Sequence, residues 1–186
     1  MKYISVGVVM TEGTEHILDV RRGGNSFHLT GELATIWLNG RLGFATVTRP
    51  TEQQGLEQLV KMGLAVKTDD SAAEEYRTLT RCTLVPADRK FPYWGVTSLE
   101  RTALQWLREA GLVLSIAELT YLIDQDVPLQ ANLLGSDNTQ RLVERIYTRD
   151  TIYDNILESQ MERAGARDRT VNAILRLLEK RRIILL

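Results

Sequence analysis

The chain has 186 residues, a length that accommodates one large domain or two small ones. Hydrophobic residues make up 44% and charged residues 25%, and 23 basic side chains nearly balance 24 acidic ones, giving a net charge of −1. This composition excludes a disordered tail protein and a uniformly basic nucleic-acid coat.

The single cysteine, Cys82, excludes an intrachain disulfide and a thiolate metal cage, and two histidines leave little material for a histidine metal site. We therefore expect no metal and no cofactor. No run of about 18 apolar residues occurs, which predicts that the chain does not span a membrane. Residues 1–10 are not followed by a small-residue cleavage site, so we expect a cytoplasmic protein with a reduced thiol.

The first 30 residues predict β-strands. Residues 2–10 are rich in Val and Ile and form a candidate strand, in which Gly7 marks a bulge. Residues 16–20 and 27–29 are further candidates, and the Gly23-Gly24 turn between them predicts a hairpin.

Two helices and a short strand are predicted next. Thr30 is a capping residue for a helix that ends at Gly40. Pro50 suits the first turn of a second helix, because its missing N–H costs nothing there, and Gly63 fits the end of that helix. Residues 64–66 then form a candidate strand.

The middle of the chain has a mixed character. Residues 42–47 fit either a short helix or a strand. The polar run 69–75 is the best candidate for a break, and residues 77–85 alternate weakly, as a strand would. We interpret residues 69–95 as a connector, in which three aromatic residues pack between two modules: Phe91, Tyr93 and Trp94.

The second half is predicted to be mainly helical. Residues 97–100 and 115–118 have the form of capping boxes, in which a hydroxyl and a carboxylate satisfy two free amides at a helix start. Two further helices are predicted from Asp137 and Thr151. A break at Gly165 is followed by a last helix over 169–182 and a terminal strand over 183–186.

This order of helix, helix, helix and strand resembles the winged-helix superfamily, and residues 170–183 resemble its third helix and first wing strand. The resemblance implies an α+β fold of two winged-helix-like modules. We expect a small module with a β-hairpin over 1–68, the connector, and a helical module over 96–186 enlarged by inserted helices. Similar Trp-Leu helices in the two halves suggest a repeat, although chance similarity of amphipathic helices explains them equally well.

Charge is segregated in the second half. Residues 161–186 have seven basic and three acidic side chains, a net of +4, whereas residues 96–160 have five basic and ten acidic, a net of −5. On a helical wheel, the basic residues of the last helix fall opposite its apolar face. A basic stripe of this kind is typical of phosphate contact. The candidate DNA-binding residues are Arg169, Asn172, Arg176 and Lys180; the alternative is an ordinary solvated face.

The first half resembles another family. Residues 29–40 (LTGELATIWLNG) and 56–64 (LEQLVKMGL) resemble PqqD-like modules, small winged-helix domains that hold the leader peptides of modified natural products. The resemblance implies that a peptide adds as a strand beside the hairpin and the third helix. Its groove would be lined by Val6, Val8, Val9, Gln54, Gln58 and Lys61. The alternatives are a covered strand edge or a dimer contact.

The sequence gives little support for an enzyme. His28 lies on a predicted strand, Cys82 has no histidine near it, and Gly23-Gly24 lacks the Lys-Ser/Thr of a phosphate loop. Asp124 and Asp126 are too few for a calcium loop. We therefore predict a non-enzymatic DNA-binding transcriptional regulator that acts as a homodimer and has no membrane partner. The alternative is a peptide- or protein-binding adaptor.

Overall fold

The computed structural model describes residues 1–12, 17–87, 93–109, 114–127, 129, 156 and 162–186. Within these residues the chain forms six helices and three antiparallel sheets of three strands, which confirms the α+β class. The strands are β1 (Lys2–Ser5), β2 (Val8–Glu12), β3 (Ile17–Arg22), β4 (Asn25–Thr30), β5 (Ala45–Thr46), β6 (Ala65–Thr68), β7 (Thr83–Pro86), β8 (Leu114–Ser115) and β9 (Ile183–Leu185). The helices are α1 (Gly31–Gly40), α2 (Pro50–Lys61), α3 (Ala72–Thr80), α4 (Ser98–Glu109), α5 (Ile116–Asp124) and α6 (Ala164–Glu179).

The first half contains two sheets and one core. Strands β5, β1 and β6 form the first sheet in that order, and α1 and α2 pack on it. Strands β2, β3 and β4 form a meander, whose β3–β4 hairpin confirms the predicted Gly23-Gly24 turn. The first core, as we call it, is centred on Trp37, Leu56 and Leu59, which are fully buried.

The second half is organised around a third sheet, ordered β8, β7, β9. Helices α4, α5 and α6 pack against one another, and α3 contacts both α5 and α6. The second core includes Leu104, Trp106, Leu119 and Ile174. Both predicted capping boxes are present. The Thr97 amide donates to the Glu100 carboxylate and the Glu100 amide donates to the Thr97 hydroxyl, while Ser115 and Glu118 form the same pair of bonds at the start of α5.

The first and third sheets share one topology. In each, the first strand in the chain lies at the centre, a two-residue strand lies on one side, and the last strand lies on the other. Both flanking strands run antiparallel to the centre. Trp37 on α1 and Trp106 on α4 are both buried. This shared order favours the interpretation as a repeat, and the winged-helix assignment of the units stays a prediction.

The two halves are joined through the segment between β1 and β2. Ile4 and Val6 belong to the second core, although β1 is the central strand of the first sheet. The Val6 amide donates to the carbonyl of Leu64 at 3.0 Å, and the Gly7 amide donates to the carbonyl of Leu185 at 2.8 Å. The predicted single strand over residues 2–10 is therefore wrong, because these bonds divide it at Gly7 into β1 and β2.

Three other expectations are corrected. The segment 69–95, interpreted as a connector, contains α3 and β7, and the strand predicted over 77–85 begins as helix. The last helix starts at Ala164, so Gly165 lies inside it rather than breaking it. The helices predicted from Asp137 and Thr151 fall largely outside the described residues.

Candidate nucleic-acid interface

The last described helix, α6, owes its orientation to a continuous apolar face. Val171, Ile174 and Leu178 are buried against α3, α4 and α5, as the wheel predicts, and Leu177 joins them. Leu175, predicted for the same face, is half-buried at its border. Residues three and four apart share a helix face, so burial of this set directs the intervening residues to solvent.

The opposite face of α6 is polar and basic. Arg169, Asn172 and Arg176 are all exposed, and their spacing of three and four residues places them on one side of the helix. Arg169 and Arg176 lie about 10 Å apart along the axis, at about 1.5 Å per residue. Neither forms an ion pair or hydrogen bond with another residue in the described part of the chain. Within the described residues, their guanidinium donors are therefore not engaged.

Lys180, the fourth predicted member of this surface, has a different environment. Its ammonium donates to Oε2 of Glu100 at 2.7 Å and to the carbonyl of Gly95 at 2.9 Å. Its side chain keeps 38% of its surface exposed, whereas that of Glu100 is fully buried. Lys180 therefore joins the end of α6 to the start of α4.

The Glu100 carboxylate is the electrostatic anchor of this junction. Burial is the largest influence on the pKa of Glu100 and raises it, because a buried charge loses hydration. Hydrogen bonds from Lys180 and the Thr97 amide, with the charges of Lys180 and Arg176, outweigh burial and hold that pKa below its ordinary value. Glu100 is therefore ionised in the folded protein at neutral pH.

Two further basic residues, near the start of α6, are already paired. Arg163 contacts Asp124 at 2.7 Å, and the largely buried Arg167 contacts Asp168 at 2.8 Å. Asp124, considered above for a calcium loop, is thus the ion-pair partner of Arg163. The net charge of the segment thus overstates the charge available for binding, although Arg181, just beyond α6, is exposed as Arg169 and Arg176 are.

The predicted peptide-groove residues are placed on separate elements. Val6 is buried in the second core, so it does not line a groove, and that part of the prediction is wrong. Val8 and Val9 are half-buried on β2, an edge strand of the meander. The other three are exposed on α2, which packs against α1 and β6: Gln54, Gln58 and Lys61.

The aromatic residues before α4 do not act together as predicted. Tyr93 is half-buried against the second core, and the Arg108 guanidinium lies 5.0 Å from the centre of its ring. Trp94, in contrast, is 75% exposed and is not packed between the halves. Phe91 lies outside the described residues. The sequence pattern missed this difference because adjacent aromatic residues give no indication of which one faces solvent.

Residues considered for chemistry have ordinary structural environments. The ring of His28 lies 2.8 Å from Asp19 across the exposed face of β3 and β4. Cys82 is buried, and burial raises the pKa of its thiol to about 11, which disfavours the reactive thiolate. The described residues include no cluster of three or more His, Cys, Asp or Glu suited to a metal. Among them, too, no helix has the length and apolarity to cross a bilayer.

Comparisons of the chain with protein-family models, with curated proteins and with solved structures find no match.

Proposed function

We propose that the protein is a non-enzymatic DNA-binding regulator that contacts duplex DNA with the exposed face of α6. The observation that supports this most is the arrangement of Arg169, Asn172 and Arg176 on one solvent-facing side, opposite the buried side. Neither arginine forms a hydrogen bond or a close ion pair within the described residues, and Arg176 acts on Glu100 from beyond ion-pair distance.

The spacing of these residues suits a DNA groove. The roughly 10 Å between the two arginines equals about three base-pair steps of duplex, so each reaches a different phosphate. Asn172 lies between them, and its amide offers the donor and acceptor that pair with an adenine edge. The arginines then position the helix, and Asn172 reads sequence.

The strand after α6 is held in the third sheet. Ile183–Leu185 pairs with β7, the central strand of that sheet. Within this proposal the protein is cytoplasmic and binds as a homodimer. A dimer doubles the phosphate contacts of a molecule whose net charge is only −1.

The experiment is fluorescence polarisation with a labelled random duplex at low salt. We expect the R169Q/R176Q variant to bind at least tenfold more weakly than the parent. The matched control is R21Q/K61Q, which also removes two exposed positive charges but on the first half, and we expect it to bind within about twofold of the parent. Equal loss in both variants contradicts a local site on α6.

Peptide binding by the first half is the second candidate function, and the free edge of β2 favours it. β2 pairs only with β3 among the described strands, and Met10 on it is 51% exposed beside a bulge. An unpaired edge recruits extended peptides through backbone hydrogen bonds.

Selection of displayed random peptides against the chain tests this candidate. The M10K variant introduces a charge on the edge strand, a change that natural sheets use to prevent strand addition. We expect peptides selected on the parent to lose most of their affinity for M10K. Peptides that bind M10K and the parent equally contradict strand addition at β2.

A further inference from the structure

The turn that precedes α4 is fixed at several points. The Tyr93 ring packs on the second core beneath Arg108, and Val96 is half-buried against the same core. The carbonyl of Gly95 accepts the bond from Lys180, and residue 97 begins the capping box. Gly95 has a φ of 77°, a conformation that favours glycine. The backbone on both sides of Trp94 is therefore held in place.

Trp94 stands out among the tryptophans of this chain. Trp37 and Trp106 are fully buried, whereas Trp94 is 75% exposed at the top of this fixed turn. A large aromatic side chain held in solvent by an anchored backbone offers a flat face for stacking and loses little freedom on binding.

The turn lies at the C-terminal end of α6. Lys180, which holds Gly95, comes one helical turn after Arg176, and Arg176 acts electrostatically on the same Glu100 carboxylate. Gly95, the neighbour of Trp94, therefore lies close to Lys180 at the C-terminal end of α6, one helical turn beyond Arg176. Aromatic side chains next to basic groups bind unpaired bases, since every base has a stacking face and the cations hold the backbone.

We infer that Trp94 stacks on an unpaired base where the duplex bound by α6 passes into single strand. This inference rests on the proposed function, and it names the preferred nucleic acid as a duplex with a single-stranded extension. The positive charges of Arg169 and Arg176 favour this polyanion over an apolar protein partner at the same indole.

The test compares two labelled probes, a blunt duplex and the same duplex with a short oligothymidine extension. We expect the parent to bind the extended probe about tenfold more tightly, the gain from one stacked base. W94A should lose this preference and still bind the blunt duplex within about twofold of the parent. W94F, which keeps a stacking face, should retain part of the preference.

Fluorescence gives an independent readout because only the exposed indole is accessible to acrylamide. We expect the extended probe to quench the emission of the parent and to protect it from acrylamide, and the blunt duplex to do neither. In W94A, neither probe should change the remaining emission of the buried Trp37 and Trp106.

The outcomes separate this inference from the proposed function. Salt-sensitive binding of both probes with equal affinity overturns the role of Trp94 and leaves DNA binding by α6 intact. The role of Trp94 is also overturned if W94A binds both probes equally more weakly. It is overturned as well if, without DNA, acrylamide protection of the indole rises with protein concentration, as self-association would cause. If neither probe binds the parent, both proposals fail together.

Discussion

At the scale of single residues, the contact between Lys180 and Glu100 gives one residue of the predicted basic stripe a structural role. Helical periodicity places Lys180 on the same face as Arg176, and the structure confirms its partial exposure. Its partner lies 80 residues earlier in the chain, a long-range contact that no local pattern contains. The site could therefore be predicted as a helix face, but the separate role of Lys180 could not.

Replacing Lys180 tests this structural role. We expect K180Q to lower the free energy of unfolding by roughly 2–3 kcal/mol, less than the 3–5 kcal/mol of a fully buried pair, because Lys180 is partly exposed. Urea denaturation measures the change. The control K61Q replaces an exposed lysine and should stay within about 0.5 kcal/mol. A K180Q effect as small as that of K61Q contradicts the role as an anchor.

The same pair predicts a pH dependence. Folding lowers the pKa of Glu100, so the ionised carboxylate stabilises the folded state. This stabilisation is complete above the ordinary pKa of 4.5, and it is lost as the pH falls through the lower pKa of the folded state. Without Lys180, the burial of Glu100 is opposed less and its folded pKa rises. We expect the stability difference between parent and K180Q to be largest near pH 7 and to shrink below about pH 4.5, in urea titrations at several pH values. A difference that is constant with pH excludes the carboxylate as the cause.

At the scale of elements, local sequence patterns predicted the helices and strands whose ends are marked by specific capping or turn residues. Both capping boxes, the hairpin and the Pro50 start of α2 are confirmed because each depends on neighbouring residues alone. The start of α3 was missed, since its polar residues were interpreted as a break. At this start the Ser71 hydroxyl accepts a hydrogen bond from the Glu74 amide at 3.1 Å. The negative charges of Glu74 and Glu75 interact favourably with the positive N-terminal end of the helix dipole.

Gly7 is a second element-scale feature that sequence reasoning placed but did not explain. A Cβ on Gly7 would lie 2.7 Å from Cγ1 of Val20 and 3.2 Å from the carbonyl oxygen of Arg21, and its φ is 120°. Glycine is needed at this position because the junction between β1 and β2 passes close to β3, while the Gly7 amide donates a hydrogen bond to the carbonyl of Leu185.

We expect G7A to reduce stability by about 2–4 kcal/mol, since strain and a steric clash combine. The matched control is G23A, which has a φ of 56° but no atom near the added Cβ. It should cost only about 1 kcal/mol. Thermal or urea unfolding compares them, and equal losses for the two variants contradict the close approach at Gly7.

At the scale of the whole molecule, the two units are connected through a shared strand. Sequence reasoning identified two helical units with similar Trp-Leu helices, and the first and third sheets share a strand order. The sequence did not reveal that Ile4 extends from the first sheet into the second core. Alternating residues along β1 show which side chains share a face of the strand, but they do not show what each face packs against.

This connection predicts cooperative unfolding. We expect the parent to unfold in a single transition, because the Ile4 side chain joins both halves, and I4A to cost about 2–5 kcal/mol. Circular dichroism and tryptophan fluorescence, followed together in urea, should give one midpoint. Two separate transitions in the parent contradict the connection.

The salt dependence of duplex binding tests the central claim, contact between α6 and DNA phosphates, most directly. Each phosphate contact releases counterions, so log affinity falls with log salt by about 0.9 per contact. We expect R169Q/R176Q to fold like the parent and to reduce the magnitude of that slope by about two units, with R21Q/K61Q unchanged. Parent binding without salt dependence, or an equal slope in R169Q/R176Q, contradicts DNA binding through α6.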